Sequence, residues 1–183
     1  MRTAVVTGTT HGIGTVTANR VAAAGYRLIM LVRDLQRAET LATAITEITG
    51  NDAIESVHCD LSSIHSVNAA VAEVRQHASA IHLLINNAGI VTRQRTMSAD
   101  GIELTFATNH LGPFVLTTGL RSTLESAGAS RVVTVASAAY QGGSADFEAA
   151  LDTAGATGLQ AYATSKLANV LFTLALHRRT RGT

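Results

Sequence analysis

The sequence predicts an α/β fold, a doubly wound parallel sheet with helices on both faces. Three observations carry that prediction. Short β-branched or apolar runs alternate with longer helical stretches along the chain. The runs are apolar throughout, as strands covered on both faces must be. Glycines and capping residues punctuate the changes of element. At 183 residues, the expectation is one domain spanning positions 1–183, long enough for a sizeable core.

Each element has a local reason. Thr3–Thr7 reads as the first strand, breaking at Gly8, and Val16–Ala24 as a helix stopped by Gly25. Tyr26–Val32 is a second strand of continuous apolar character. Asp34 can cap a helix that runs to about Thr49 and closes at Gly50. Ile54–Cys59 is the third strand, ending at Asp60, and Ser62 can cap a helix reaching His77. Ile81–Ile85 is the fourth strand, running into Asn86-Asn-Ala-Gly89. A polar loop leads to a helix over Ala99–Glu125, with a kink at Gly112-Pro113. Arg131–Ala136 is the fifth strand, Ala138–Gly158 a loop with one short helix, and Gln160–Arg179 the last helix.

Composition narrows the class. Apolar residues make up 46%, charged residues 15%, and the net charge is +1. That balance fits a globular chain and argues against a nucleic-acid or anionic-membrane partner. A lone Cys59 forms no internal disulfide, which fits a reducing compartment. No leader pattern opens the sequence, and no apolar run approaches the ~18 residues that would span a bilayer. The expectation is therefore a cytoplasmic protein without a membrane partner. Seven His without ligand spacing, and one Cys, give no metal site. Arg178, Arg179 and Arg181 suit a helix C-terminus. Asp146, Glu148 and Asp152 read as a solvated loop face.

Two stretches carry chemistry. Gly8, Gly12 and Gly14 lie between a strand and a helix, the setting in which a glycine-rich turn cradles phosphate. Gly8 would turn the chain, Gly12 would let backbone approach a pyrophosphate, and Gly14 would let the helix pack closely. The spacing G-x-x-x-G-x-G departs from the common dinucleotide fingerprint. About 20 positions further on, Arg33 follows the second strand, where a guanidinium can pair with a 2′-phosphate. Asp34 is accounted for as the helix cap. NADP is therefore favoured, with NAD as the second candidate. His11 lies in the same turn and adds positive character there, or simply starts the helix. The second stretch is Tyr162-Ala-Thr-Ser-Lys166. Residues four apart share a helix face, and an ammonium held beside a phenol stabilises the phenolate. Such a phenol can exchange a proton with an oxygen at working pH.

With these motifs placed, the chain resembles the short-chain dehydrogenase/reductase family. The matching segments are Thr7-Gly-Thr-Thr-His-Gly-Ile-Gly14, Asp60-Leu61, Asn86-Asn-Ala-Gly89, Asn109, Ser137 and Tyr162-x-x-x-Lys166, in the family's order. Asn109-His-Leu-Gly-Pro-Phe114, Tyr162–Phe172 and the gap of 25 positions from Ser137 to Tyr162 are most similar to the retinol-dehydrogenase and protochlorophyllide-reductase-like branch.

The resemblance implies a Rossmann-type sheet of order 3-2-1-4-5. It implies an NADP-dependent oxidoreductase that interconverts a carbonyl and an alcohol on an apolar small molecule. Tyr162 would be the general acid or base, Lys166 would hold the nicotinamide ribose, and Ser137 would hydrogen-bond the substrate oxygen. Asn109 would hold a water that relays protons through Lys166. Gly8, Thr10, His11, Gly12, Ile13, Gly14, Arg33, Asp60, Leu61, Asn87, Ala88 and Gly89 would line the cofactor, with Tyr162 and Lys166. A homodimer or tetramer is implied, and the small Ala161, Ala163, Ala168 and Ala175 would permit close helix packing there, or fit burial within the subunit equally well. Family members continue past the last helix into a sixth strand, a substrate-covering segment and often a seventh strand, whereas this sequence reads to Thr183. The expectation from that departure is an open edge on the fifth strand and a substrate pocket lacking one wall. The alternative function is a catalytically impaired nucleotide-binding fragment acting by association.

Overall fold

The computed structural model describes residues 1–148 and 158–180, so the Asp152 and Arg181 readings lie outside it. The elements are β1 (Thr3–Thr7), α1 (Gly12–Ala23), β2 (Arg27–Val32), α2 (Leu35–Thr49), β3 (Ile54–His58), α3 (Ile64–His77) and β4 (Leu83–Asn86). There follow α4 (Leu104–Phe106), a π-helical turn (Ala107–Leu111), α5 (Gly112–Gly119), α6 (Arg121–Glu125) and β5 (Arg131–Thr134). A 3₁₀ helix (Ala138–Gly142) and α7 (Gly158–Arg179) complete the described chain. The sheet order is β3-β2-β1-β4-β5, as the family resemblance implies. The register places Val5 beside Ile29 on one side and Leu84 on the other, all parallel.

The described residues form two compact units. The first comprises Met1–Asp60, His65–Ala88 and Leu116–Val133. Its core follows the period of two along each strand. Ala4, Val6, Leu28, Met30 and Val32 pack with Ala18, Val21 and Ala22 of α1 and Ala38 and Ile45 of α2. The intervening Val5 and Ile29 are fully buried. A Cβ on Gly119 would come within 2.8 Å of the Val71 side chain, so the end of α5 approaches α3 closely at this glycine. The second unit comprises Leu61–Ile64, Gly89–Val115 and the described residues from Thr134 onward. Its α7 buries its first half, Ala161 to Asn169, and exposes Leu171 and Leu174 in its second.

Several boundaries move for identifiable reasons. The helix expected from Ala99 opens at Leu104, because Gly101 takes a left-handed turn (φ 74°) and Glu103 caps it, its carboxylate accepting from Phe106 N–H at 2.7 Å. α1 starts at Gly12 instead of Val16, and α3 at Ile64, whose N–H is held by the Asp100 carboxylate at 2.7 Å. β5 ends at Thr134, two residues early, as Val135 turns its carbonyl to a side chain. Among the described residues no helix is long and apolar enough to cross a membrane, and no three His, Cys, Asp or Glu cluster to hold a metal.

Candidate functional site

In the first unit, the turn after β1 is built around glycine. Gly8 and Gly12 have φ of 70° and 55°, the left-handed region that favours residues without a Cβ. A Cβ on Gly14 would lie 1.9 Å from the Gly8 carbonyl oxygen and 2.6 Å from Asn87 Nδ2. Gly14 thus lets α1 close onto the turn, whereas open space lies above Gly12. α1 begins with no side-chain cap and no acidic residue in its first turn. Its N-terminal N–H groups and partial positive charge therefore suit an anion, and a diphosphate fits this cradle.

The turn is pinned from β4. Thr7 Oγ1 accepts from the N–H groups of Asn87 and Ala88, both at 3.0 Å. Asn87 Nδ2 donates to the carbonyls of Thr7 (3.0 Å) and Gly8 (3.2 Å). Asn87 and Ala88 thus lie against the glycine turn, and the Asn87 side chain is spent on shaping it. Thr7, buried and 80 positions away, is a supporting residue that the sequence reading missed. Its signals were a hydroxyl at the strand's end and its place at the head of the matching segment Thr7–Gly14.

Thr10 is half-buried, while His11 and Ile13 are exposed at the start of α1. Thr10 Oγ1 and His11 Nδ1 are 3.0 Å apart, and His11 Nε2 lies 2.7 Å from Arg37 Nη1. Arg33 is exposed directly after β2, and Asp34 caps α2 by accepting from Arg37 N–H at 3.0 Å. Asp60 follows β3 with its N–H donated to Ser66 Oγ at 2.9 Å. Beside it the Cys59 thiol is buried, and desolvation, then the Asp60 charge, pushes its pKa up to about 12.

The second unit holds Leu61, Gly89, Asn109, Ser137, Tyr162 and Lys166. Leu61 is buried, its carbonyl against Gly112, where any Cβ would approach to 2.3 Å. Lys166 is only 3% exposed, and burial lowers its pKa from the usual range. Its ammonium donates to the Val135 carbonyl at 2.9 Å and lies 5.6 Å from the centroid of the half-buried Tyr162 ring. The predicted i, i+4 pair therefore shares a face, anchored from the end of β5. A Cβ on Gly89 would meet Asn109 Oδ1 at 3.4 Å and Lys166 Nζ at 3.5 Å, so these groups converge on Gly89. Ser137 is the N-cap of the 3₁₀ helix, its Oγ accepting from Ala139 N–H at 3.3 Å.

Asn109 is 1% exposed and fully engaged. Its Oδ1 accepts from Ile90 N–H at 2.8 Å, and its Nδ2 donates to the Ile90 carbonyl (2.9 Å) and Ser165 Oγ (3.1 Å). Ser165 Oγ in turn donates to the Tyr162 carbonyl at 2.7 Å. A chain of hydrogen bonds thus ties Asn109 to the Tyr162 turn. Ser165, outside the predicted set, does this anchoring, as Val135, also outside it, does for Lys166.

The short chain dehydrogenase family matches over residues 2–183. Human retinol dehydrogenase 13 is 36% identical over 182 residues, 99% of this chain and 55% of the relative. Human polyprenol dehydrogenase is 38% identical over 181 residues, 97% and 55%. The chain thus spans about half the length of these curated relatives. Among solved structures, an uncharacterized protein from Mycobacterium paratuberculosis superposes with a TM-score of 0.85 at 38% identity, covering 98% of this chain and 62% of that one. A short-chain dehydrogenase from Sphingobium yanoikuyae in complex with NADPH gives 0.78 at 25% identity, covering 98% and 65%. Fold, motif order and sequence agree: the chain belongs to the short-chain dehydrogenase family.

Proposed function

We propose that this chain is the nucleotide-binding, proton-transferring part of an NADP-dependent oxidoreductase that interconverts a carbonyl and an alcohol on an apolar small molecule. The carrying observation is the buried Lys166 ammonium, fixed on the Val135 carbonyl beside Tyr162 and converging with Asn109 on Gly89. The relatives named for retinol and polyprenol, both apolar alcohols, support the substrate class.

Gly8, Thr10, His11, Gly12, Ile13 and Gly14 would hold the diphosphate end of the cofactor. Arg33 would pair with a 2′-phosphate, and Asp60, Leu61, Asn87, Ala88 and Gly89 would line the adenosine. When bound, the nicotinamide supplies or accepts the hydride. The Tyr162 hydroxyl gives a proton to the substrate oxygen in reduction and takes it in oxidation. Lys166 donates one N–H to Val135, which leaves two to orient a ribose. Ser137 donates to the substrate oxygen as its charge grows. The exposed Leu171 and Leu174 of α7 support a homodimer or tetramer, and Cys59, free and buried, supports a reducing, cytoplasmic setting. The second reading is a nucleotide-binding chain that acts by association.

The test is NADPH titration by fluorescence, followed by turnover of a polyene aldehyde. Saturable binding, with turnover reduced about 10²- to 10⁴-fold in Tyr162→Phe, is the expected result. Binding without turnover favours the second reading, and absence of binding overturns both.

A further inference from the structure

Asn109-His-Leu-Gly-Pro-Phe114 and Tyr162–Phe172 meet in the second unit through one further side chain, that of Asn169. In an α-helix the carbonyl of Asn109 would accept from the N–H of residue 113. That residue is Pro113, which has no N–H and whose ring crowds the carbonyl four positions before it. The helix widens instead of breaking. Ala107–Leu111 is a π turn, closed by Gly112 N–H donating to the Ala107 carbonyl, five residues back.

The donor that the α-helix cannot supply comes from α7. Asn169 Nδ2 donates to the Asn109 carbonyl at 2.9 Å, across 60 positions of sequence. Asn169 Oδ1 lies 3.0 Å from His110 Nδ1, and as an amide oxygen it only accepts, so His110 carries its proton on Nδ1. Asn169 is 2% exposed. Around it His110 packs 5.2 Å from the Phe106 ring and 6.3 Å, edge-on, from Phe172. A buried amide with both ends used on adjacent residues of a widened turn sets the pitch of that turn.

We propose that Asn169 is a positioning residue: by clamping Asn109 and His110 it holds the π turn so that the Asn109 side chain stays beside Gly89 and Lys166. This rests on the reading of Tyr162 and Lys166 as the proton-transferring pair. Asn169 acts on that pair only through Asn109.

The test compares the full wild-type chain with Asn169→Asp, which keeps the shape but turns the donor at the Asn109 carbonyl into an acceptor. Two readouts are taken: amide hydrogen exchange over residues 107–114, and kcat with KM for NADPH, using a polyene aldehyde as probe. The expected result is exchange at least about tenfold faster over residues 107–114 while α3 is unchanged. kcat should fall about 10- to 100-fold with KM for NADPH within about twofold. The kcat deficit should narrow as pH falls, because a protonated carboxyl regains a donor. Wild-type exchange and kcat in the variant overturn the proposal, as does exchange accelerated equally in α3. If the wild-type chain shows no turnover, the enzyme reading fails, and exchange alone decides the clamp: local acceleration supports it, no change overturns it. Should Asn169→Asp melt below assay temperature, Asn169→Ser carries the same comparison without adding a charge.

Discussion

Gly14 meets Gly8 so closely that a Cβ on Gly14 would sit 1.9 Å from the Gly8 carbonyl oxygen. Backbone stands against backbone there, so the clash cannot be relieved by a rotamer change. Gly14→Ala should destabilise the chain by at least about 2–3 kcal/mol, as overpacking does. Gly12→Ala meets nothing within 4 Å and pays only for its φ of 55°, about 1–2 kcal/mol. Urea unfolding of the two variants checks the order, and equal midpoints would refute it.

Asn87 should matter to stability independently of any ligand. Its Nδ2 holds the carbonyls of Thr7 and Gly8, and removing it leaves both short of a donor. Asn87→Ala should cost about 1–3 kcal/mol by chemical denaturation without ligand. A variant as stable as wild type would show that the turn holds itself.

The lowered pKa of Lys166 gives a signed pH dependence. Between its native pKa and the ordinary 10.5, the unfolded state binds more protons than the folded state. Stability attributable to Lys166 therefore rises with pH in that window and levels above 10.5. Measured against Lys166→Met from pH 7 to 10.5, wild type should gain relative stability as pH rises. A flat or falling difference would contradict the burial.

His110 runs the other way along the pH axis. Burial lowers its pKa below 6.5, against the smaller opposing effect of the Asn169 hydrogen bond. The unfolded chain takes up its proton first, so His110 destabilises the fold as pH falls below 6.5 toward the native value. His110→Gln should show a shallower loss of stability over that range in urea titrations.

Cys59 should be inert while the chain is folded. With its pKa at about 12, only about one thiol in 10⁴ is ionised at pH 8. A thiol-reactive disulfide should label it slowly in buffer and promptly in urea. Fast labelling of the native chain would show that the end of β3 opens.

Much of the fold was legible because its causes are local. Alternating apolar strands and helices led to the β3-β2-β1-β4-β5 order once the family resemblance was recognised. Asp34 caps α2 through its carboxylate, and Gly50, without a Cβ, closes it in the left-handed conformation (φ 71°). The helix start at Leu104 was missed because a Gly101 turn and a Glu103 cap outweigh the helical pattern before them.

The site divides along the same line. The sequence by itself determined the glycine turn, the Tyr162–Lys166 face and even the lost donor at Asn109, since Pro113 stands four positions after it. Only the tertiary structure decided what completes them: Thr7 with Asn87, Lys166 with Val135, and Asn109 with Asn169. Periodicity and capping are settled within a few residues of chain. A buried polar group must instead find its partner wherever packing places one, here between 31 and 80 positions away.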